Sequence, residues 1–310
     1  MKRNRFKRFV KNFKKDWQLY LLILVPAIYI GIFSYGPMYG IQIAFRDFRP
    51  LDGITGSTWV GWKHFERFLN NPDFWGILKN TLVLSLYSMT SFPLSIIVAL
   101  MLNALTQRKY AKCVQIVSYM PYFISTVVLV GMLNMIFSPV YGVYGNLYRL
   151  FGGTGFPEDI RKLPETFRHL YVWSGAWQGL GWSTIIYTAA LSGVPTELHE
   201  AASIDGASRF KRMIHIDIPC ILPTICIMLI MRCGSIISVG FEKAYLMQSP
   251  LNKDVSEIIS TFVYSFGMSD SRNFSYGAAV GLFNNVVSLA MMVLVNFITK
   301  KLSQNEISFF

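Results

Sequence analysis

The residues best placed to do chemistry lie between Glu200 and Pro219, in the stretch EAASIDGASRFKRMIHIDIP, a short charged segment between two long apolar blocks. Their types and spacing suit mechanical contact rather than bond making. Pro195 and Thr196 form a helix start in which Thr196 is expected to cap the free backbone N–H groups, and Glu197 and Glu200 suit the positive end of the helix dipole. Gly206 supplies the left-handed residue that ends that helix, after which Ala207 to Ile214 start a second one. Ala201, Ala202 and Ala207 lack bulk, so a partner surface can approach the backbone, while Glu200, Asp205, Arg209, Lys211 and Arg212 offer charged anchors at its rim. Such a segment is expected to be gripped by a partner.

Catalytic chemistry is absent by the same test. Cys113, Cys220, Cys226 and Cys233 form no CxxC pair and read as small apolar filler, and His64, His169, His199 and His215 lack metal-ligand spacing. There is no GxxxxGK phosphate loop and no nucleophile–base constellation, so no catalytic residue, metal or bound cofactor is expected. Several polar residues fall inside apolar blocks. A cation such as Arg232 near a bilayer centre costs about 2.5–3.5 kcal/mol, so it is expected to face the bundle interior, a partner helix or a wet cavity, as a substrate or gating contact or as a structural partner. Trp173, Trp177, Gln178 and Tyr187 combine flat apolar faces with hydrogen-bonding groups, the pairing that holds sugar rings. The alternative is that Trp173 and Trp177 are interfacial anchors, with Gly175, Gly179 and Gly181 permitting close helix packing. Asn284, beside Asn285, lines a path or bonds between helices.

Spanning helices must position these groups. A chain of 310 residues, 53% hydrophobic and 15% charged with mean hydropathy +0.39, points to an all-α polytopic membrane protein. Six blocks exceed the roughly 20 residues a bilayer core requires: Gln18 to Ile41, Thr81 to Leu105, Val114 to Ser138, His169 to Gly193, Ile221 to Tyr245 and Tyr276 to Ile298. Pro26, Pro93 and Pro121 are expected to kink these helices rather than break them. The first block is too long for a signal core and is read as the first span. One transmembrane domain, residues 17–299, is expected, with a basic segment 1–16, a cytoplasmic loop at about 194–220 and a tail 300–310. Lys2, Arg3, Arg5, Lys7, Arg8, Lys11, Lys14 and Lys15 belong in the cytoplasm by the positive-inside rule, and six crossings return Lys300 and Lys301 to the same side. The net charge of +12 concentrates in that run beside a bilayer span, which fits anionic lipid and topology control, not nucleic acid.

The order Glu200-Ala201-Ala202, Gly206, Ile216, Ile218-Pro219 resembles the EAA loop of permease subunits in type I ABC importers, Ile218 replacing the family's Leu. Trp59-Val60-Gly61, Phe65, Pro72, Phe74, Trp75, Asn80 and Thr81 are similar to the outer segment of carbohydrate permeases. Three further stretches, Gly240 to Leu246, Ser260 to Tyr264 and Ala278 to Asn284, are similar to the branch that imports alginate- or pectin-type oligosaccharides. The resemblance implies that Glu200, Ala201, Ala202, Asp205 and Gly206 contact an ATPase, with Ile216 and Pro219 fixing how the loop rejoins the fifth span. It also implies two ATPase subunits using ATP and Mg, a second homologous permease subunit, an external solute-binding protein, an oligosaccharide substrate and a bacterial cell membrane with both termini cytoplasmic. An amino-acid or peptide permease is the nearest alternative. An ion-coupled carrier would show an inverted repeat or paired intramembrane carboxylates, and neither is seen.

Overall fold

The computed structural model describes residues 15–105, 107–234, 240–269 and 272–302. Most of the expected basic segment, the tail from residue 303 and residues 235–239 of the expected fifth span lie outside the described residues.

Helix α1, Trp17–Ile30, continues through a π-turn at Gly31–Tyr35 and a 3-10 stretch at Tyr39–Phe45. A two-residue antiparallel pair, β1 (Arg46–Asp47) on β2 (Thr58–Trp59), interrupts the otherwise helical chain and leads to α2, Lys63–Leu69. The second span is α3, Phe74–Ser88, and α4, Ser91–Asn103; it starts earlier than expected and breaks for two residues where Pro93 withholds its N–H from the carbonyl one turn back. The third span is α5, Arg108–Tyr119, a 3-10 turn at Met120–Phe123 and α6, Thr126–Ile136, the two limbs meeting at 97°. Pro121 therefore breaks this span, contrary to expectation, and Ser125 caps the restart by accepting from the Val128 N–H. A short helix α7, Val143–Leu150, precedes α8, Pro164–Ser192, whose proline occupies the favoured first position.

Four described segments are long and apolar enough to cross a membrane, residues 17–45, 74–103, 209–234 and 274–297, and a fifth if the bent pair is one span. Helix α8 has 29 residues but is rich in Trp, Gly, Ser and Thr and is not among them. It packs against α3, α4, α5 and residues 218–234. Helices α9 (Thr196–Ile204), α10 (Arg209–Arg212) and α11 (Ile218–Gly234) follow, then α12 (Phe241–Met247), α13 (Ile259–Tyr264) and α14 (Phe274–Leu302).

The close approach of α8 to α5 requires a glycine. A Cβ on Gly181 would stand 2.0 Å from the Ser118 carbonyl oxygen. At the end remote from α9, Phe68, Phe74, Ile77, Ile259, Phe262, Tyr276 and Val280 form one buried cluster. Asn80 and Thr81 tie it to the following loop: the Asn80 amide donates to Asp254 O at 2.7 Å, and the Ile259 N–H donates to Thr81 Oγ1 at 3.0 Å. Helix α1 buries none of its residues.

Candidate coupling segment and translocation cavity

The candidate coupling segment is two helices joined at Gly206. Helix α9 begins with Thr196 as its first residue and Pro195 at the cap position, where no side chain accepts a backbone N–H. Thr196 is thus one residue too late to be the cap. The C-terminus closes as a Schellman motif: Gly206 N–H donates to Ser203 O at 3.2 Å, Ala207 N–H donates to Ala202 O at 2.8 Å, and Gly206 has φ +74°. Ser208 then caps α10 through Lys211 N–H. The second helix does not stop near Ile214. It passes through a π-turn at Met213–Asp217 into α11, so the charged segment is the root of the fifth span. The π-turn ends two residues before Pro219, as the one in the first span ends two residues before Pro37; in each, the proline ring lacks the N–H that regular helix would use.

Glu200, Ala201, Asp205 and Gly206 are exposed and Ala202 half-buried. The sequence reading missed three apolar neighbours, Leu198, Ile204 (87% exposed) and Phe210 (68% exposed). Bare apolar side chains on a charged segment mark a contact surface, and their signal was their type, Leu, Ile and Phe among charges. Behind this face His199 Nε2 lies 3.2 Å from Asp217 Oδ1, a carboxylate only 3% exposed, and Arg212 donates to His199 O at 3.4 Å. Ile216, with Met213 and Ile218, packs on a buried cluster of Ala99, Leu100, Tyr187, Leu191, Val194 and Ile221. The segment is therefore fastened to α4, α8 and α11.

Between those same spans lies a cavity of about 770 Å³. Tyr187 and Arg232 line it, with Trp182, Ser91, Ser95 and Ser183. Tyr187, 3% exposed, meets Phe92 edge-on at 6.3 Å, and Tyr122 stacks on Trp182 at 4.4 Å. The remaining expected path residues sit elsewhere. Trp173 Nε1 donates to Tyr87 Oη at 2.8 Å, whose oxygen lies 2.6 Å from His169 Nδ1. Trp177 is exposed on α8 and does not line this cavity. Gln178 Nε2 donates to Ile124 O at 2.6 Å, satisfying a carbonyl freed at the broken third span. The Asn284 carbonyl on α14 accepts from Ser288 Oγ, while its side-chain Oδ1 is buried with no partner among the described residues. Among the described residues no group of His, Cys, Asp or Glu is arranged to hold a metal.

Outside the spans, Asp159 receives both Arg161 Nε and a terminal guanidinium N–H at 2.6 Å, which holds its carboxyl below the ordinary 3.8 and raises Arg161. A further Arg161 N–H donates to Asn134 O at 2.8 Å, pinning this loop to α6. Lys63 lowers Asp47 in the same way. Burial pushes Glu257 up.

Residues 91–304 match the family described as binding-protein-dependent transport system inner membrane component. Protein LplB of Bacillus subtilis (strain 168) is 41% identical, the match covering 94% of this chain and 91% of that protein. The polygalacturonan/rhamnogalacturonan transport system permease protein YteP of the same organism is 40% identical over 99% of this chain and 95% of its own. The bacterial alginate ABC transporter, solved in complex with an alginate pentasaccharide-bound periplasmic protein, contains a chain with TM-score 0.85 and 34% identity, matched over 96% of this chain and 98% of that one. An all-α fold, a charged segment rooted in a span and these matches place the chain among the binding-protein-dependent transport system inner membrane components, as a multi-pass permease subunit of an ABC transporter with the type I importer fold.

Proposed function

We propose that this chain carries an oligosaccharide inward by alternating access, receiving it from an external solute-binding protein and releasing it into the cytoplasm. The sugar-transport relative and the alginate transporter with its loaded periplasmic protein support that substrate and that partner. One observation carries the mechanism: Tyr187 belongs both to the buried cluster beneath the coupling segment and to the lining of the 770 Å³ cavity. A push on α9 is transmitted by close-packed side chains, because a packed interior shifts as a body rather than absorbing the displacement.

In this reading Glu200, Ala201, Ala202, Asp205 and Gly206, joined by Leu198, Ile204 and Phe210, seat a separate ATPase subunit, one of two that bind and hydrolyse ATP with Mg. Ile216 and Pro219 set the angle at which the segment enters the fifth span. Tyr187 and Arg232 meet the sugar, the ring through its face and the guanidinium through its donors. Trp173, Trp177 and Asn284 flank the route, and Gln178 holds the third span's break in shape. A second homologous permease subunit completes the pathway, and the uncovered flank of α1 is available to it or to lipid. Both termini and the coupling segment are cytoplasmic in the bacterial cell membrane.

The test is uptake of labelled oligogalacturonide or alginate oligosaccharide by the complete importer in proteoliposomes with its binding protein. Ile204→Asp is expected to abolish uptake and substrate-stimulated ATP hydrolysis while leaving insertion and sugar capture intact. Uptake at the unmodified rate would refute the docking role, and competition by amino acids but not by sugars would refute the substrate.

A further inference from the structure

Beneath the coupling segment lies a second cavity, of about 830 Å³, which the transport route does not use. Its walls come from the ends of α4 and α8, the start of α5, and α9 with α10. Its lining carries three cations: Lys112 from α5, and Arg209 and Arg212 from α10. Asp217 is its one acidic lining residue, and His199 Nε2 engages that carboxylate at 3.2 Å. Arg212 gives one N–H to His199 O at 3.4 Å, while its Nε is buried with no acceptor among the described residues. Leu102, Leu191 and Met213 add apolar lining. Because α4 ends at Asn103 and α8 at Ser192, the cavity sits where spans meet water.

Three cations and an apolar stretch of wall at that height fit an amphiphile with a phosphate head. We propose that this cavity is a phosphate-binding site filled by the headgroup of an anionic membrane lipid, its first acyl methylenes against the apolar wall. The proposal rests on the cytoplasmic placement of the coupling segment, since anionic lipid attracts basic groups on that face. A phosphate held by Lys112 on α5 and by Arg209 on α10 braces the third span against the coupling segment, so lipid composition sets how firmly ATPase motion reaches the cavity above.

The complete importer in phosphatidylcholine nanodiscs is labelled with photoreactive phosphatidylglycerol or photoreactive phosphatidylcholine, and the adducts are mapped by mass spectrometry. Phosphatidylglycerol adducts are expected on residues 107–115 and 209–213, with a loss of about five-fold for each cation removed in Lys112→Gln and Arg209→Gln. Arg212 is left intact because it also braces His199. Displacement of the adducts by inorganic phosphate from the unmodified importer supports the same site independently of any variant. If inorganic phosphate protects the site while the two lipids label it alike, the lipid source is overturned and a soluble phosphate takes its place. Equal labelling by both lipids, unmoved by phosphate and by the variants, overturns the site. Ser203→Cys in a cysteine-free chain, probed with a membrane-impermeant thiol reagent, reports separately which side the coupling segment faces.

Discussion

Gly206→Val isolates the backbone requirement of the coupling segment. The glycine sits at φ +74°, and a Cβ built on it meets nothing within 4 Å, so the penalty is conformational and not steric crowding by neighbours. A left-handed L-residue costs about 1–2 kcal/mol, more when β-branched, and leaving that region forfeits the two Schellman bonds, each worth about 1 kcal/mol at most on an exposed segment. Either route costs about 2 kcal/mol, which lowers the population of the docking conformation by roughly 30-fold. Insertion is untouched because the segment lies outside the apolar blocks. The assay is ATPase binding and substrate-stimulated hydrolysis by the assembled importer, with Gly206→Asn as comparison, since asparagine tolerates positive φ. Valine is expected to uncouple and asparagine to retain most activity. Full coupling with valine, or equal loss with both, would refute the backbone argument.

Two further expectations concern packing and pH. Gly181→Ala places a methyl 2.0 Å from a backbone oxygen that no side-chain rotation can clear, so the chain is expected to lose about 3 kcal/mol or more, read as a lost monodisperse peak in detergent, whereas Gly179→Ala, with nothing within 4 Å, leaves the peak intact. For the loop at Asp159 the folded carboxyl lies below its ordinary 3.8, so its contribution is present at neutral pH and at pH 5 and is lost only as pH falls through the lowered folded value; amide exchange at residues 159–162 is expected to rise there, and a rise already at pH 5 would contradict the pairing with Arg161.

Much of the coupling segment was readable in one dimension. Gly206 as a helix stop, the small residues beside it and the charged rim all depend on neighbours within a turn. Thr196 was misjudged because the extended turn at Pro195 moved the helix start by one residue, and the second helix ran on because Met213, Ile216 and Ile218 found a buried cluster to pack on. Pro121 breaks its span where the sequence predicts a kink, and the Ile124 carbonyl left exposed there is satisfied by Gln178, 54 residues further on. That partner has no local signature. Gln178 itself looked like a sugar contact for the same reason.

Hydrophobic runs, basic clusters and a glycine with a required φ are properties of short segments, so they suffice to specify a helical membrane protein with a hinged charged segment. Which polar groups share a space is decided by helices far apart along the chain. Only the packing of α8 against α4, α5 and α11 put Tyr187 and Arg232 on one cavity, joined His199 to Asp217, and gathered Lys112 with Arg209 and Arg212 on another. Those juxtapositions follow from where a buried helix finds complementary shape, and periodicity along one helix carries no record of its neighbour's register.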